Sequence, residues 1–285
     1  MYTTLISADE LRTLMTNSQP LRVFDCSFDL SQPGEGDAQY ARDHIMGAVR
    51  ADLDRHLSAK GAPDAASGGR HPLPSREKFA QWLGSVGVTP TTQVVVYDRQ
   101  GNNYCGRLWW MLKWLGHEAV AVLDGGLTAW QNTGGEVSVE APDTASAPIY
   151  PLSPVATGLV ATETVEKNLG RPVQTLIDAR GAPRYRGEVE PLDPVAGHIP
   201  GALNRSFTQN FDDAGKFKPA AVLRTEFDAL LAGRDPASVV HHCGSGVSAV
   251  PNMLAMEIAG LGHTSLYAGS WSDWCSNPKR PVAQG

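Results

Sequence analysis

The segment "GHIPGA" at residues 197–202 decides the fold, because nearly the same segment, "DHIMGA", stands at residues 43–48. Working outward, each is preceded by an apolar run that ends in aspartate, "LRVFD" closing on Asp25 and "QTLID" closing on Asp178. Each is followed by a β-branched run, "QVVVYD" (93–98) and "SVVHHC" (238–243), and then by "AVLDGGLTAW" (121–130) and "SLYAGSWSDW" (265–274). Asp25 and His44 are 19 residues apart, Asp178 and His198 are 20 apart. The same features in the same order at the same spacing read as one fold written twice.

Within each copy, short apolar runs alternate with amphipathic stretches, a pattern that predicts α/β architecture with a largely parallel central sheet flanked by helices. "SADELRTLMTN" begins with Ser7 and carries Glu10 three residues on, a capping box that starts a helix. "YCGRLWWMLKWLG" (104–116) sets its apolar residues at mostly helical spacing and stops at Gly116; its aromatics belong to a core. A chain of 285 residues exceeds what one core usually supports. Residues 132–158 hold four prolines and little periodicity, which suits an extended connection. The expected division is a first domain at 1–145, a linker at 146–158 and a second domain at 159–285.

A net charge of -6 without a long basic run argues against a nucleic-acid surface. No basic segment followed by an apolar stretch opens the chain, and no run reaches membrane-spanning length, so no membrane partner and a cytoplasmic location are expected. The four cysteines lie far apart, with no zinc spacing and no disulfide framework, as expected of free thiols in a reducing compartment. Nothing calls for a metal or cofactor.

One of those cysteines stands apart. In "HHCGSGVSA" (241–249), Cys243 ends a strand-like run and is followed by small residues and then by a helical stretch, "SAVPNMLAMEIAGLG". In parallel sheets, ligands bind beyond the carboxyl ends of strands. Small residues let a tight loop aim its N–H groups inward, and the following helix adds the positive end of its dipole. Such a cradle holds a thiolate. The first copy carries Asp98 at the matching place and is catalytically silent on that account. A buried cysteine with no chemistry is the alternative; the strand end, the Gly/Ser loop and the helix weigh against it. A hydrolase elbow needs glycine where Cys243 stands. A cysteine phosphatase loop needs arginine at Ala249, without which a phosphoryl group loses its clamp.

"CGSGVSA", "DAR" (178–180), "GHIPGA" and "LYAGSWSDW" together resemble the tandem-domain rhodanese family, the thiosulfate and 3-mercaptopyruvate sulfurtransferases, over nearly the whole chain. The resemblance implies two tandem rhodanese-like domains. It also implies a Cys243 persulfide, formed from a small-molecule sulfur donor and discharged to cyanide, a thiol or a thioredoxin-like acceptor. It further implies that the loop residues Gly244, Ser245, Gly246, Val247 and Ser248 hold the sulfur. Ser245, with His71 in "RHPLP" and Asp54 in "RADLD" from the other domain, matches the proton relay of mercaptopyruvate enzymes; Asp52 is a second candidate for the aspartate. Arg184 in "APRYRG" matches the arginine that grips the donor's anionic end. Arg180 and Arg186 beside it can equally be ion-pair residues. The family's second arginine, ahead of "GHIPG", is missing: the chain reads "EVEPLDPVAGHIPG", with Leu192 and Asp193 there. Arg205 is a candidate replacement. Asp25, Asp178, His44 and His198 are expected to serve turns rather than chemistry. The competing expectation, from another class, is a non-catalytic domain pair acting as an interaction scaffold, which has no need of a thiol in an amide cradle.

Overall fold

The computed structural model of the chain describes residues 1–144 and 146–285. They form two compact units, one of Met1–Ala59, Pro74–Ala156 and Asp213–Lys216, the other of Lys60–Leu73, Thr157–Asp212 and Phe217–Gly285. Each unit therefore takes a stretch from the other half of the sequence. Residues 60–73, inside the first copy by sequence, pack with the second. No helix among the described residues is long and apolar enough to cross a membrane.

The first unit contains β1 (Leu5–Ile6), β2 (Leu21–Asp25), β3 (His44–Ile45), β4 (Val49–Arg50), β5 (Gln93–Tyr97), β6 (Val120–Leu123) and β7 (Val137–Ser138). Five of these make a parallel sheet in the order β1-β6-β5-β2-β4, while β3 and β7 pair antiparallel. All five residues of β5 are buried, as a strand covered on both faces requires. Around the sheet lie α1 (Ala8–Met15), α2 (Glu35–Arg42), α3 (Arg76–Ser85), α4 (Cys105–Trp114) and α5 (Gly126–Asn132). The expected capping box is formed at α1: Ser7 Oγ accepts from the Glu10 amide, and the Glu10 carboxylate accepts from the Ser7 amide at 2.8 Å. The aromatics of α4 are core, with Trp109 and Trp110 buried, and Gly116 takes the left-handed turn beyond the helix.

The second unit repeats the plan with β8 (Gly158–Leu159), β9 (Thr175–Asp178), β10 (Leu203–Asn204), β11 (Val239–His242) and β12 (Ser265–Leu266). Their order, β8-β12-β11-β9-β10, matches the first sheet strand for strand, and every pairing is parallel. Its helices are α6 (Thr162–Lys167), α7 (Ala182–Arg186), α8 (Ala220–Leu231), α9 (Val250–Ile258) and α10 (Ser270–Trp274).

The repeated motifs do the same job twice. Asp25 Oδ1 accepts from the Ser27 amide at 2.8 Å, and Asp178 Oδ1 from the Arg180 amide at 2.9 Å, so each closes the turn after its strand. His44 stacks on Tyr40 and bonds the Tyr40 carbonyl through Nδ1; His198 stacks on Tyr185 and bonds the Tyr185 carbonyl likewise. Tyr40 and Tyr185 donate in turn to the carbonyls of Ala48 and Ala202, the last residues of the two "HI(M/P)GA" segments. These side chains lock strand-end loops.

The loop after β5 shows what this fold builds beyond its central strand. Asp98 Oδ1 accepts from the amides of Gln100 (2.9 Å) and Asn102 (2.8 Å), and Oδ2 from those of Tyr104 (2.7 Å) and Cys105 (2.9 Å). Burial pushes this carboxyl up, while the four amides pull it down. The loop is thus an anion cradle filled by its own side chain. Asp98→Ala strips four buried amides of their acceptor and should cost about 2–4 kcal/mol, seen as a lower denaturation midpoint at unchanged m-value.

Candidate active site

Cys243 follows β11 at the carboxyl end of the second sheet, in the place that Asp98 holds in the first, and is buried. Its position is held from both sides. Its amide donates to Ser270 Oγ at 3.1 Å, and Ser270 donates to the Tyr267 carbonyl at 3.0 Å. The start of α10 clamps the loop carbonyls, the Trp271 amide reaching the carbonyl of Cys243 at 3.0 Å and the Ser272 amide that of Gly244 at 2.9 Å. Below, Asp178 lies opposite His242 in the β9/β11 register. Burial works against the Asp178 carboxylate, yet His242 and the Arg180 guanidinium hold it below the ordinary carboxylate range.

The loop residues follow in a tight turn into α9, which carries Pro251 in its first turn, where a missing N–H costs little. Gly244, Ser245, Gly246 and Val247 are buried and Ser248 is half-buried, and the Val250 amide donates to the Val247 carbonyl at 3.1 Å. Gly246 is the one residue here that must be glycine. Its φ is +75°, and a Cβ would stand 2.3 Å from the Ala268 carbonyl oxygen and 2.8 Å from Ala268 Cα, both backbone atoms. Gly246→Ala therefore combines left-handed strain with a clash that no side-chain rotation relieves; it should lower stability by about 2–4 kcal/mol. A thermal melt checks this.

Ser245 meets His71. The His71 Nδ1 and Ser245 Oγ lie 2.7 Å apart, and both residues are buried. His71, expected to come from the other domain, belongs by packing to the cysteine's own unit. Its segment is tied down beside α10. The Arg70 amide donates to Ser272 Oγ at 2.9 Å, the Leu73 amide to Ser67 Oγ at 2.9 Å, and Gly69 lies so close to the Gly269 carbonyl that a Cβ would fall 2.4 Å from it. Asp54 belongs to the first unit, where its amide donates to Asp52 Oδ1 at 3.0 Å. Asp52 is a structural residue: its carboxylate also takes Arg50 at 3.1 Å and the Arg55 amide at 2.9 Å.

Arg184, on α7, lies beside the loop. A Cβ on Gly244 would meet Arg184 Nη1 at 3.5 Å and Nη2 at 3.6 Å. It would also meet Arg70 Nη2 at 3.1 Å, a residue the sequence reading passed over. Two buried carboxylates carry these guanidiniums. Glu190 accepts from Arg184 at 2.6 and 3.2 Å, and Asp193 accepts from Arg70 Nη1 at 2.6 Å and from Arg184 Nη2 at 3.3 Å. Glu190 also takes Arg180 Nη1 at 3.2 Å, while the rest of Arg180 is spent on Asp178, on the Gly197 carbonyl at 2.7 Å and on the Trp271 ring. Arg180 is thus an ion-pair residue, as is Arg186, bound to Glu188 at 2.6 Å. Arg205 is no replacement for the missing family arginine. It bonds Asn210 at 3.1 Å and Glu226 at 2.7 Å and packs over the Phe227 ring. The available signal for Arg70 was its place beside His71; nothing local in "EVEPLDP" announced that Glu190 and Asp193 would be buried beneath arginines.

The remaining thiols have other surroundings. Burial pushes the Cys26, Cys105 and Cys275 thiols up. Among the described residues no group of His, Cys, Asp and Glu is arranged to hold a metal. A buried thiol at a strand end, a Ser–His pair two residues on, and two guanidiniums over the intervening glycine can bind an anionic donor, take an atom from it and supply a proton.

The rhodanese-like domain family matches residues 7–133 and 161–277. A "probable 3-mercaptopyruvate sulfurtransferase" of Pseudomonas aeruginosa is 43% identical over 287 residues, covering 99% of this chain and 98% of that protein. A "putative thiosulfate sulfurtransferase" of Mycobacterium tuberculosis is 37% identical over 99% of this chain and 97% of its own length. Among solved structures, the 3-mercaptopyruvate sulfurtransferase from Leishmania major superposes with a TM-score of 0.81 at 30% identity, over 98% of this chain and 75% of that one.

Proposed function

The chain belongs to the rhodanese family and is a sulfurtransferase, and from that premise we propose that Cys243 takes a sulfur atom from 3-mercaptopyruvate, holds it as a persulfide and passes it to a thiol acceptor. The observation that carries this choice of donor is the 2.7 Å contact between His71 Nδ1 and Ser245 Oγ, two residues past the nucleophile. Relatives named for mercaptopyruvate support it. A relative named for thiosulfate keeps that donor as the second reading.

The chemistry follows from the bonds. The Cys243 thiolate attacks the donor sulfur; an S–S bond forms and the C–S bond breaks, its electron pair passing to the methylene carbon as the enolate of pyruvate. The enolate takes a proton from Ser245 Oγ, which recovers one through His71, and the persulfide loses its own proton to become an anion. Charge and atoms balance: thiolate and mercaptopyruvate become persulfide anion and pyruvate. An incoming thiolate then attacks the outer sulfur and releases the Cys243 thiolate, so one transfer is divided into two displacements.

In both forms the anion at Cys243 is held by the loop amides of Gly244 to Ser248. The Asp98 loop supports this role, since the matching turn in the first unit gives four amides to an anion at that position. Arg184 binds the donor's carboxylate. Asp54 as the aspartate of the relay rests on the family resemblance alone. The acceptor class is a small thiol or a thioredoxin-like protein, with cyanide as a laboratory acceptor. The test is intact mass after incubation with mercaptopyruvate: one added sulfur, removed by a thiol, is expected, and no adduct with either donor sinks the proposal.

A further inference from the structure

Two neighbouring residues of α10 have different surroundings. Ser272 serves the cysteine loop: its amide holds the Gly244 carbonyl at 2.9 Å, and its Oγ accepts from the Arg70 amide at 2.9 Å. Asp273 lines a cavity of about 390 Å3 to which none of residues 243–248 contributes. Residues 65–68, from the segment that carries His71, form one wall of it, and residues 159–163 form another. Gly68 stands against the Asp273 carboxylate, where a Cβ would fall 2.8 Å from both Cγ and Oδ1.

Two charged groups in this cavity are only partly used. Asp273 Oδ2 accepts from the Thr162 hydroxyl and, at 3.3 Å, from that of Tyr267. Its Oδ1 makes no hydrogen bond among the described residues and lies 3.9 Å from Arg280 Nη1. Arg280, which also lines the cavity, spends Nη1 on the carbonyls of Asp273 at 2.8 Å and Trp274 at 3.5 Å. Its Nε lies 3.6 Å from the Glu166 carboxylate, and Nη2 makes no hydrogen bond among the described residues. Side-chain exposures of 12% for Arg280 and 20% for Asp273 set both in the wall rather than free in solvent.

We propose that this cavity binds a small α-amino acid as its zwitterion, the ammonium on Asp273 Oδ1 and the carboxylate on Arg280 Nη2, and that occupancy steadies the segment that carries His71. Charge decides the ligand class. A lone cation is repelled by Arg280, and a lone anion by Asp273 and Glu163, whereas a zwitterion meets each with the opposite sign. Its bonds to both are charge-assisted, the stronger kind. The volume lies at the small end of the range of about 300–1,000 Å3 for ligand sites, which favours a short side chain. The coupling runs through bonds already in place. The Ala66 amide donates to the Leu73 carbonyl at 2.8 Å and the Leu73 amide to Ser67 Oγ at 2.9 Å, so residues lining the cavity close the turn that holds His71. A ligand that binds only the closed turn makes its opening more costly.

The test uses L-alanine, which has neither thiol nor ketone and so can neither give nor accept sulfur. Calorimetric titration of the full chain should show saturable one-to-one binding. Propionate and ethylamine each keep one of the two charges and should bind about tenfold more weakly or worse; propionate also reports any carboxylate bound beside Arg184 instead. Asp273→Asn and Arg280→Gln should each weaken alanine binding about tenfold or more. Ala66→Leu crowds the cavity from an exposed position without changing a charge and should weaken it likewise, so the site stays testable if a charge variant fails to fold. At saturating alanine, hydrogen exchange at the amides of residues 66–73 should slow by about tenfold or more. No binding of alanine, equal binding of propionate, or unchanged affinity in the folded variants would overturn the site. Saturation with no slowing of exchange over residues 66–73 would overturn the coupling to His71.

Discussion

Cys243→Ser should lower turnover with mercaptopyruvate and with thiosulfate by about a thousandfold or more, a loss typical of removing a covalent nucleophile. The substitution changes one atom in a buried site whose backbone contacts, from the Cys243 amide to Ser270 Oγ and from the Trp271 amide to the Cys243 carbonyl, do not involve the sulfur. The fold should therefore stay intact, with a thermal midpoint close to that of the parent. The hydroxyl cannot replace the thiolate, because it is not ionised at neutral pH and an oxygen cannot form a persulfide. The other three thiols offer no substitute, since burial pushes each of them up and away from the thiolate form. Intact mass after donor treatment should show no added sulfur in the variant. A full adduct in Cys243→Ser would move the chemistry to another cysteine.

His71→Ala separates the two donors. Its kcat with mercaptopyruvate should fall about 100- to 10,000-fold, the range for losing a positioned proton donor, while the rate with thiosulfate should stay within about threefold. The difference follows from the leaving groups. Breaking the C–S bond of mercaptopyruvate leaves an enolate that must be protonated at carbon, and Ser245, bonded to His71 at 2.7 Å, is the group that can deliver the proton. Sulfite leaves thiosulfate as a stable anion and asks for none. Ser245→Ala should reproduce the donor selectivity of His71→Ala, and the double variant should cost little more than either single one, as expected of residues acting as a unit. Equal losses on both donors would reject the relay and make His71 a packing residue of the loop.

Much of this molecule was legible in short windows of sequence. Paired motifs such as "DHIMGA" and "GHIPGA" announced duplication, and the two sheets indeed share one strand order. Strand-end aspartates and their turns, the capping box at Ser7 and the helix after the cysteine loop are encoded within a few residues of where they act. The contrast between Asp98 and Cys243 was visible as well, although only the four amides on Asp98 reveal that the first loop keeps its cradle and fills it from within. Arg205 lies near "GHIPG" in sequence, but nearness says nothing of direction, and its fork is consumed by Asn210 and Glu226.

The sequence by itself determined the architecture and the loop that follows Cys243, because periodicity, turn chemistry and small-residue spacing act through local backbone geometry. Only the tertiary structure decided which side chains surround Cys243. His71 reaches Ser245 across 174 residues and Arg70 reaches Asp193 across 123. Such pairs depend on the path by which residues 60–73 join the second unit, and that path is set by close backbone packing at Gly69 and by hydrogen bonds to Ser272 and Ser67, none of which leaves a periodic trace in the chain.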